Sequence, residues 1–171
     1  MTESYMKFEK SFVDAIYKAV TNKAQKAMFK RADSDALNHQ SWAFLLRNGI
    51  DIENADDRDI ASLIVASIAR SKSDKNGSKS FPRALAACYP DGNASDAAAM
   101  KMRRVCSCDS VKELVDVLRP ILSLIESRTG EVDYVDLYWG LRRYKFDDRR
   151  QDIQARWMKA FYSTSVQEDS Q

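Results

Sequence analysis

The stretch SVKELVDVLRPILSLI, Ser110 to Ile125, decides the fold class. Leu114, Leu118, Ile121 and Ile125 recur at intervals of four, three and four, which stacks apolar side chains along one face of an α-helix. Ser110-x-x-Glu113 in front of them has the form of a capping box, in which a hydroxyl and a carboxylate satisfy amides that the first turn leaves free. Pro120 lies inside the pattern and predicts a kink, and Gly130 closes the helix.

The same period recurs on both sides. Towards the N-terminus, Phe8, Phe12, Ile16 and Ala19/Val20 make an amphipathic helix, with Lys7, Lys10, Lys18, Lys23 and Lys26 mostly between them. A second helix is expected to start near Asp33 to Asp35, carry Trp42, Phe44 and Leu45 inward, and stop at Asn48-Gly49. A third opens in the acidic run Asp56, Asp57, Asp59, where a helix dipole favours carboxylates, and continues through Ile60, Leu63, Ile64 and Ile68. Ser71 to Ser80, SKSDKNGSKS, has no apolar period and reads as an exposed, mobile loop. Pro82 begins a short helix holding Arg83, Leu85 and Ala86, which Pro90-Asp91-Gly92 ends. Beyond it, Ser95 caps a helix reaching Cys106. Asp133 starts one with Tyr134, Leu137, Tyr138 and Leu141, and the last runs from Asp147 with Ile153, Trp157 and Phe161 on one face.

No run alternates with period two for long enough to make a strand, and five Gly and three Pro in 171 residues leave little material for a turn-rich β architecture. The expectation is an all-α bundle of about eight helices in two packed halves, residues 1–92 and 93–163, followed by a polar tail over 164–171. At 44% apolar and 30% charged the chain has the material for a core. SLIVASIA, Ser62 to Ala69, is far shorter than a bilayer span, and Met1 to Lys30 lacks a signal-peptide apolar core, so a soluble, cytoplasmic protein is expected. Three cysteines do not make a disulfide framework and suit a reducing compartment.

Catalytic patterns are missing. There is no H-E-x-x-H, no G-x-x-x-x-G-K and no G-x-S-x-G, and His39, the single histidine, falls on a polar helix face. Asp56-Asp57 and Asp147-Asp148 stand at helix starts, where capping accounts for them. Cys106 and Cys108 have only the distant Cys88 and His39 to complete four zinc ligands, so burial as small apolar groups is the expectation, with no metal and no cofactor. A metal-dependent or hydrolytic enzyme ranks last among the functional readings.

The basic residues hold more information. The net charge is only +2, but from Lys101 to Lys159 there are 13 Lys/Arg against 10 Asp/Glu, and arginines cluster as Arg103-Arg104, Arg142-Arg143 with Lys145, and Arg149-Arg150. A guanidinium fork matches phosphate oxygens, and Tyr138, Trp139 and Tyr144 lie nearby as candidates for stacking on bases. Lys23, Lys26, Lys30 and Arg31 either extend such a surface or solvate the first helix. Two readings stand at this point, a nucleic-acid surface and a solvated helical face with ordinary salt bridges.

Several segments in order resemble one known family. They are Asp59-Ile60-Ala61-x-Leu63-Ile64-x-Ala66, Phe81-Pro82-Arg83-Ala84-Leu85-Ala86, Met102-Arg103-Arg104 and Leu114-x-x-x-Leu118-Arg119-x-x-Leu122. Val132-Asp133-Tyr134-x-x-Leu137, Tyr138-Trp139 and Arg156-Trp157-x-x-x-Phe161-Tyr162 follow. Together, over Ala36 to Tyr162, they resemble the CasB family, the small subunit of the type I-E CRISPR Cascade complex. The chain departs from the family pattern at Pro82, at Tyr134 in place of a tryptophan, at Cys106 and Cys108 in place of aliphatic residues, and in a slightly shorter link from Arg104 to Leu114.

The resemblance implies a non-catalytic helical subunit of a crRNA-guided surveillance complex. Its implied partners are target DNA, both the target strand and the displaced strand, the large and backbone subunits of Cascade, and a second copy of itself, with no membrane. It implies a basic surface that steadies the R-loop without reading sequence. Carried onto this chain, the first candidates for phosphate contact are Arg83, Arg103, Arg104, Arg119, Arg142 and Arg143, with Lys101, Lys145, Arg149 and Arg150 behind them. The competing expectation is a helical protein–protein adaptor whose arginines bind acidic partner surfaces.

Overall fold

The computed structural model describes residues 5–163. They contain nine α-helices, beginning with α1 Lys7–Ala19, α2 Lys23–Phe29, α3 Trp42–Arg47 and α4 Ala55–Arg70. Then come α5 Phe81–Ala86, α6 Asp96–Cys106, α7 Val111–Arg128, α8 Tyr134–Tyr144 and α9 Asp147–Tyr162. Short 3-10 helices at Asn38–Ser41 and Gly92–Ala94 complete the regular structure. The described residues contain no strand, only one isolated parallel bridge between Lys79 and Val132, and the fold is all-α as expected. The polar tail over 164–171 lies outside the described residues.

Local sequence explains most helix ends. Ser95 Oγ accepts from the Ala98 amide, and Asp133 Oδ1 from those of Val135 and Asp136. The capping box ahead of α7 forms with a one-residue offset, because Ser110 Oγ accepts from the Glu113 amide while Glu113 Oε2 accepts from Asp109 instead of Ser110. Asn54, not an aspartate, caps α4, and Asp56 and Asp57 occupy its first turn where the dipole favours them. α7 continues through Pro120, with Leu118, Ile121 and Leu122 buried on either side of it. It ends at Gly130, whose φ of 62° suits a residue without Cβ and whose amide reaches back to Ile125.

Two segments differ from the sequence reading. No helix starts at Asp33 to Asp35; residues there form turns, followed by the 3-10 helix Asn38–Ser41 and the short α3. The cause is tertiary, since Asp33 is drawn to Arg70 and Arg119 and does not cap. Ser71 to Ser80 is docked against the α7–α8 connection, not free of it. The Gly77 amide donates to Val132, Lys79 to Glu131 and Asp133 to Lys79, while Asn76 bonds both the Asp133 carboxylate and the Tyr134 amide. A Cβ on Gly77 would lie 2.3 Å from the Glu131 carbonyl carbon, so only glycine permits this approach.

α4 is the core element. Every residue from Ile60 to Ala69 is buried, and the helix packs on α7, α8, α1 and α2. α9 closes the other side against α5, α6 and α8. There Trp157 meets Phe81 edge-on and stacks on Tyr144, and Gly140 gives its ring room.

Candidate nucleic-acid interface

α6 is amphipathic by the period of its sequence. Ala98, Ala99, Met102 and Val105 face the core, which turns Met100, Arg103 and Arg104 outward and leaves Lys101 half-buried at the margin. No ion pair or hydrogen bond engages the side chains of Lys101, Arg103 or Arg104 among the described residues. Arg83 is in the same condition, exposed on α5 between buried Pro82 and Ala84. α5 and α6 pack on each other and both pack on α9, so these four cations are carried by neighbouring helices.

The other six candidates are committed inside the molecule to different degrees. Glu9 of α1 is 1% exposed and is clasped by two arginines of α8, Arg142 at 2.6 Å and Arg143 at 3.7 Å. Arg142 also covers the Phe8 ring at 4.3 Å and Arg143 the Trp139 ring at 4.0 Å. Burial pulls the Arg143 guanidinium below the usual arginine range, partly opposed by Glu9. Asp33 is held in the same manner by Arg70 at 2.6 Å and Arg119 at 3.2 Å. Lys145 bonds Asp57 in the first turn of α4 at 2.7 Å. Arg150 bonds Asp147 at 2.9 Å and the Tyr144 carbonyl at 3.3 Å, whereas Arg149 is exposed with only Asp148 at 4.0 Å.

The aromatic candidates divide as well. Tyr138 and Tyr144 are buried and offer no ring to a base; the Tyr144 hydroxyl donates to the Cys108 carbonyl and accepts from Gln154, and burial pushes its pKa up to about 12. Trp139 is half-buried, but Arg143 and Arg156 already lie against its ring, with Tyr5 at its edge.

Sequence reading missed both clasps. Glu9 did leave a signal, because it sits three, four and seven positions before Phe12, Val13 and Ile16 on the apolar stripe of α1. A carboxylate on such a stripe is buried with a partner or not buried at all. Asp33 left no comparable trace. Lys23, Lys26, Lys30 and Arg31, which the sequence left between two roles, line one open cleft of about 360 Å³ with no carboxylate in its wall.

Thiol chemistry has little support at neutral pH. Cys108 is fully buried and Cys106 half-buried, and burial pushes both thiols up to about 11. Among the described residues, no three His, Cys, Asp or Glu side chains gather as a metal-holding group. No described helix is long and apolar enough to cross a membrane.

No curated protein matches the sequence. A family model described as CRISPR-associated protein Cse2 matches residues 25–162. Among solved structures, CasB from M. ruber superposes with a TM-score of 0.74 at 21% identity, over 95% of this chain and 96% of that one. CasB from Thermus thermophilus gives 0.72 at 21% identity, over 91% and 97%. CasB from Thermobifida fusca gives 0.69 at 15% identity, over 90% and 97%. At these identities the structures share a fold with the chain.

Proposed function

Because the chain belongs to the CRISPR-associated protein Cse2 family, we propose that it is a non-catalytic, cytoplasmic Cascade subunit that holds nucleic-acid backbone during crRNA-guided target recognition. The observation that carries this reading is the set of unpaired cations Arg83, Lys101, Arg103 and Arg104 on the adjoining helices α5 and α6. An unpaired guanidinium gives up no internal bond when it meets phosphate, so these four form the leading surface. Arg119, Arg142, Arg143, Lys145, Arg149 and Arg150 belong to the proposed interface as a second rank. Their contact with phosphate uses the N–H groups left over by Asp33, Glu9, Asp57, Asp148 and Asp147.

Such a surface acts without reading bases. Guide–target pairing replaces one duplex by another of similar stability, so a few backbone contacts to the target strand or the displaced strand are enough to bias strand exchange. Neighbouring Cascade subunits and a second copy of the chain extend the same track. The test is binding of single-stranded and duplex DNA across a salt series, with Arg103→Ala/Arg104→Ala as the variant. Weak binding that falls steeply with salt, and a shallower fall in the variant, supports the reading. The adaptor reading rests on Met100, 63% exposed beside the same arginines. It expects no nucleic-acid binding at low salt and capture of an acidic partner protein that survives nuclease.

A further inference from the structure

α4 and α7 lie side by side and run in the same direction, the start of one opposite the start of the other and Ser67 and Arg70 opposite Leu122 and Glu126. Their N-terminal halves, with the 32–38 turn, wall a cleft of about 580 Å³. Asp35, Asp59 and Asp116 line it together with Asp33, and so do Arg58, Lys112 and Arg119. Most of these cations are already occupied. Arg119 bonds Asp33 and Asp116, and Arg58 donates to the Ile52 carbonyl and lies over the Trp42 ring. Arg58 reaches Asp59 only at 4.0 Å, and Asp35 has no ion pair among the described residues. Two weakly matched carboxylates therefore face the space against one uncommitted ammonium, that of Lys112.

A second observation is independent of the acidic groups. Ser62 lines the same cleft, is 5% exposed, and its Oγ is buried without a hydrogen-bond partner. A buried hydroxyl in that condition is destabilising unless something bonds it. Its lone pairs are open to a donor in the cleft.

We propose that this cleft is a socket for an organic cation, an alkylammonium or guanidinium group seated between Asp35 and Asp59 with Ser62 Oγ as a third acceptor. Such groups carry donors and no acceptors, which matches a wall of carboxylates and one hydroxyl. An anion is the poorer match, because four carboxylates line the cleft against three cations, of which Arg58 and Arg119 already have internal partners. Burial pushes the Asp59 carboxyl above its usual range, with Asp56 and Asp35 adding to the rise against Arg58 and Lys112, and the charge of a bound cation opposes that rise. The volume exceeds a lone ammonium and fits a long cationic chain. A lysine or arginine side chain of a neighbouring protein and a free polyamine share this chemistry. The socket is separate from the cations of α5 and α6 and stands whether or not those bind nucleic acid.

The test is amide-resolved NMR titration of the full chain with N-acetyl-arginine methylamide and, separately, with spermidine. The expected result is saturable shifts confined to 32–38, 58–63 and 112–119, with affinity at least tenfold weaker in Asp35→Asn/Asp59→Asn. Asp152→Asn, which removes one exposed carboxylate from α9, is matched in charge to Asp35→Asn and leaves the affinity unchanged. Asp35→Asn alone, at an exposed turn, gives an intermediate loss should the double variant fold poorly. Saturation by the arginine derivative alone assigns the socket to a protein side chain, and saturation by both assigns it to organic cations including polyamines. Absence of saturable shifts, or shifts that persist undiminished in both variants, overturns the proposal.

Discussion

Arg142 donates to Glu9 across 2.6 Å although 133 positions separate them in the chain. The carboxylate is almost wholly buried, and the guanidinium keeps about a third of its surface in solvent. One bond thus ties the first helix to the eighth and leaves the outer edge of the arginine accessible. Replacing Glu9 by Gln keeps the shape and removes the charge. The expected outcome is a loss of about 1–3 kcal/mol, below the range for fully buried pairs because both arginines are partly solvated. Urea unfolding of Glu9→Gln against the parent chain checks it, and an unchanged midpoint would show the clasp to be energetically idle.

The free and the clasped arginines are expected to separate in a paired measurement. Arg103→Ala/Arg104→Ala leaves stability within about 0.5 kcal/mol, because neither side chain has a partner among the described residues. The same variant makes the log–log salt dependence of single-strand binding shallower by about 1.4, roughly 0.7 for each phosphate that the chain no longer neutralises. Arg142→Ala lowers the unfolding midpoint whatever it does to binding, since it leaves the buried Glu9 with Arg143 alone, at 3.7 Å. A variant that combines Arg103 with Arg142 mixes the two effects and is the wrong reagent.

Gly77→Ala is expected to break the docking of residues 71–80. Its Cβ would meet the Glu131 backbone at 2.3 Å, and the three nearest atoms are all backbone of Glu131 and Val132, with no flexible side chain to give way. The expected cost is about 1–3 kcal/mol. Hydrogen exchange reads it directly, because the Lys79 and Asp133 amides, bonded to Glu131 and Lys79, lose protection while those in α4 keep it.

Cys106 and Cys108 set an alkaline dependence. Their usual value is 9.0 and burial pushes them to about 11, so between those limits the unfolded chain releases protons that the folded chain retains. Stability from these thiols is complete below pH 9 and falls as pH rises towards 11. Unfolding midpoints at about pH 8, 9.5 and 10.5 are expected to descend, and Cys106→Ser/Cys108→Ala to flatten the descent. Alkylation by iodoacetamide at about pH 7.5 is expected to be slow until urea exposes the thiols.

What the sequence made legible was local. Ser95, Ser110 and Asp133 cap the helices they were expected to cap, because each bond spans two or three residues and depends on little else. The inward faces of α7, α8 and α9 follow from apolar period alone. Asp33 has the look of a cap and is not one, because the competing arginines are supplied from 37 and 86 positions away. The 71–80 segment has the look of a free loop, yet its order comes from backbone bonds to residues near 132, which leave no mark on side-chain pattern. The candidate interface was legible as a list of cations. Which of them were free was not, since that depends on where Glu9, Asp33 and Asp57 arrive.

The burial of every residue of α4 from Ile60 to Ala69 has a consequence during synthesis. Its principal cover, α7, begins at Val111, 41 positions after α4 ends at Arg70. At roughly 5–20 residues per second, the apolar run from Ile60 to Ala69 waits several seconds on the ribosome before that cover exists. Asp56, Asp57 and Asp59 at one end, with Arg70 and Lys72 at the other, are the charges that flank it in that interval. The acidic first turn that favours the helix dipole in the native state thus also serves as a gatekeeper against aggregation of the nascent chain.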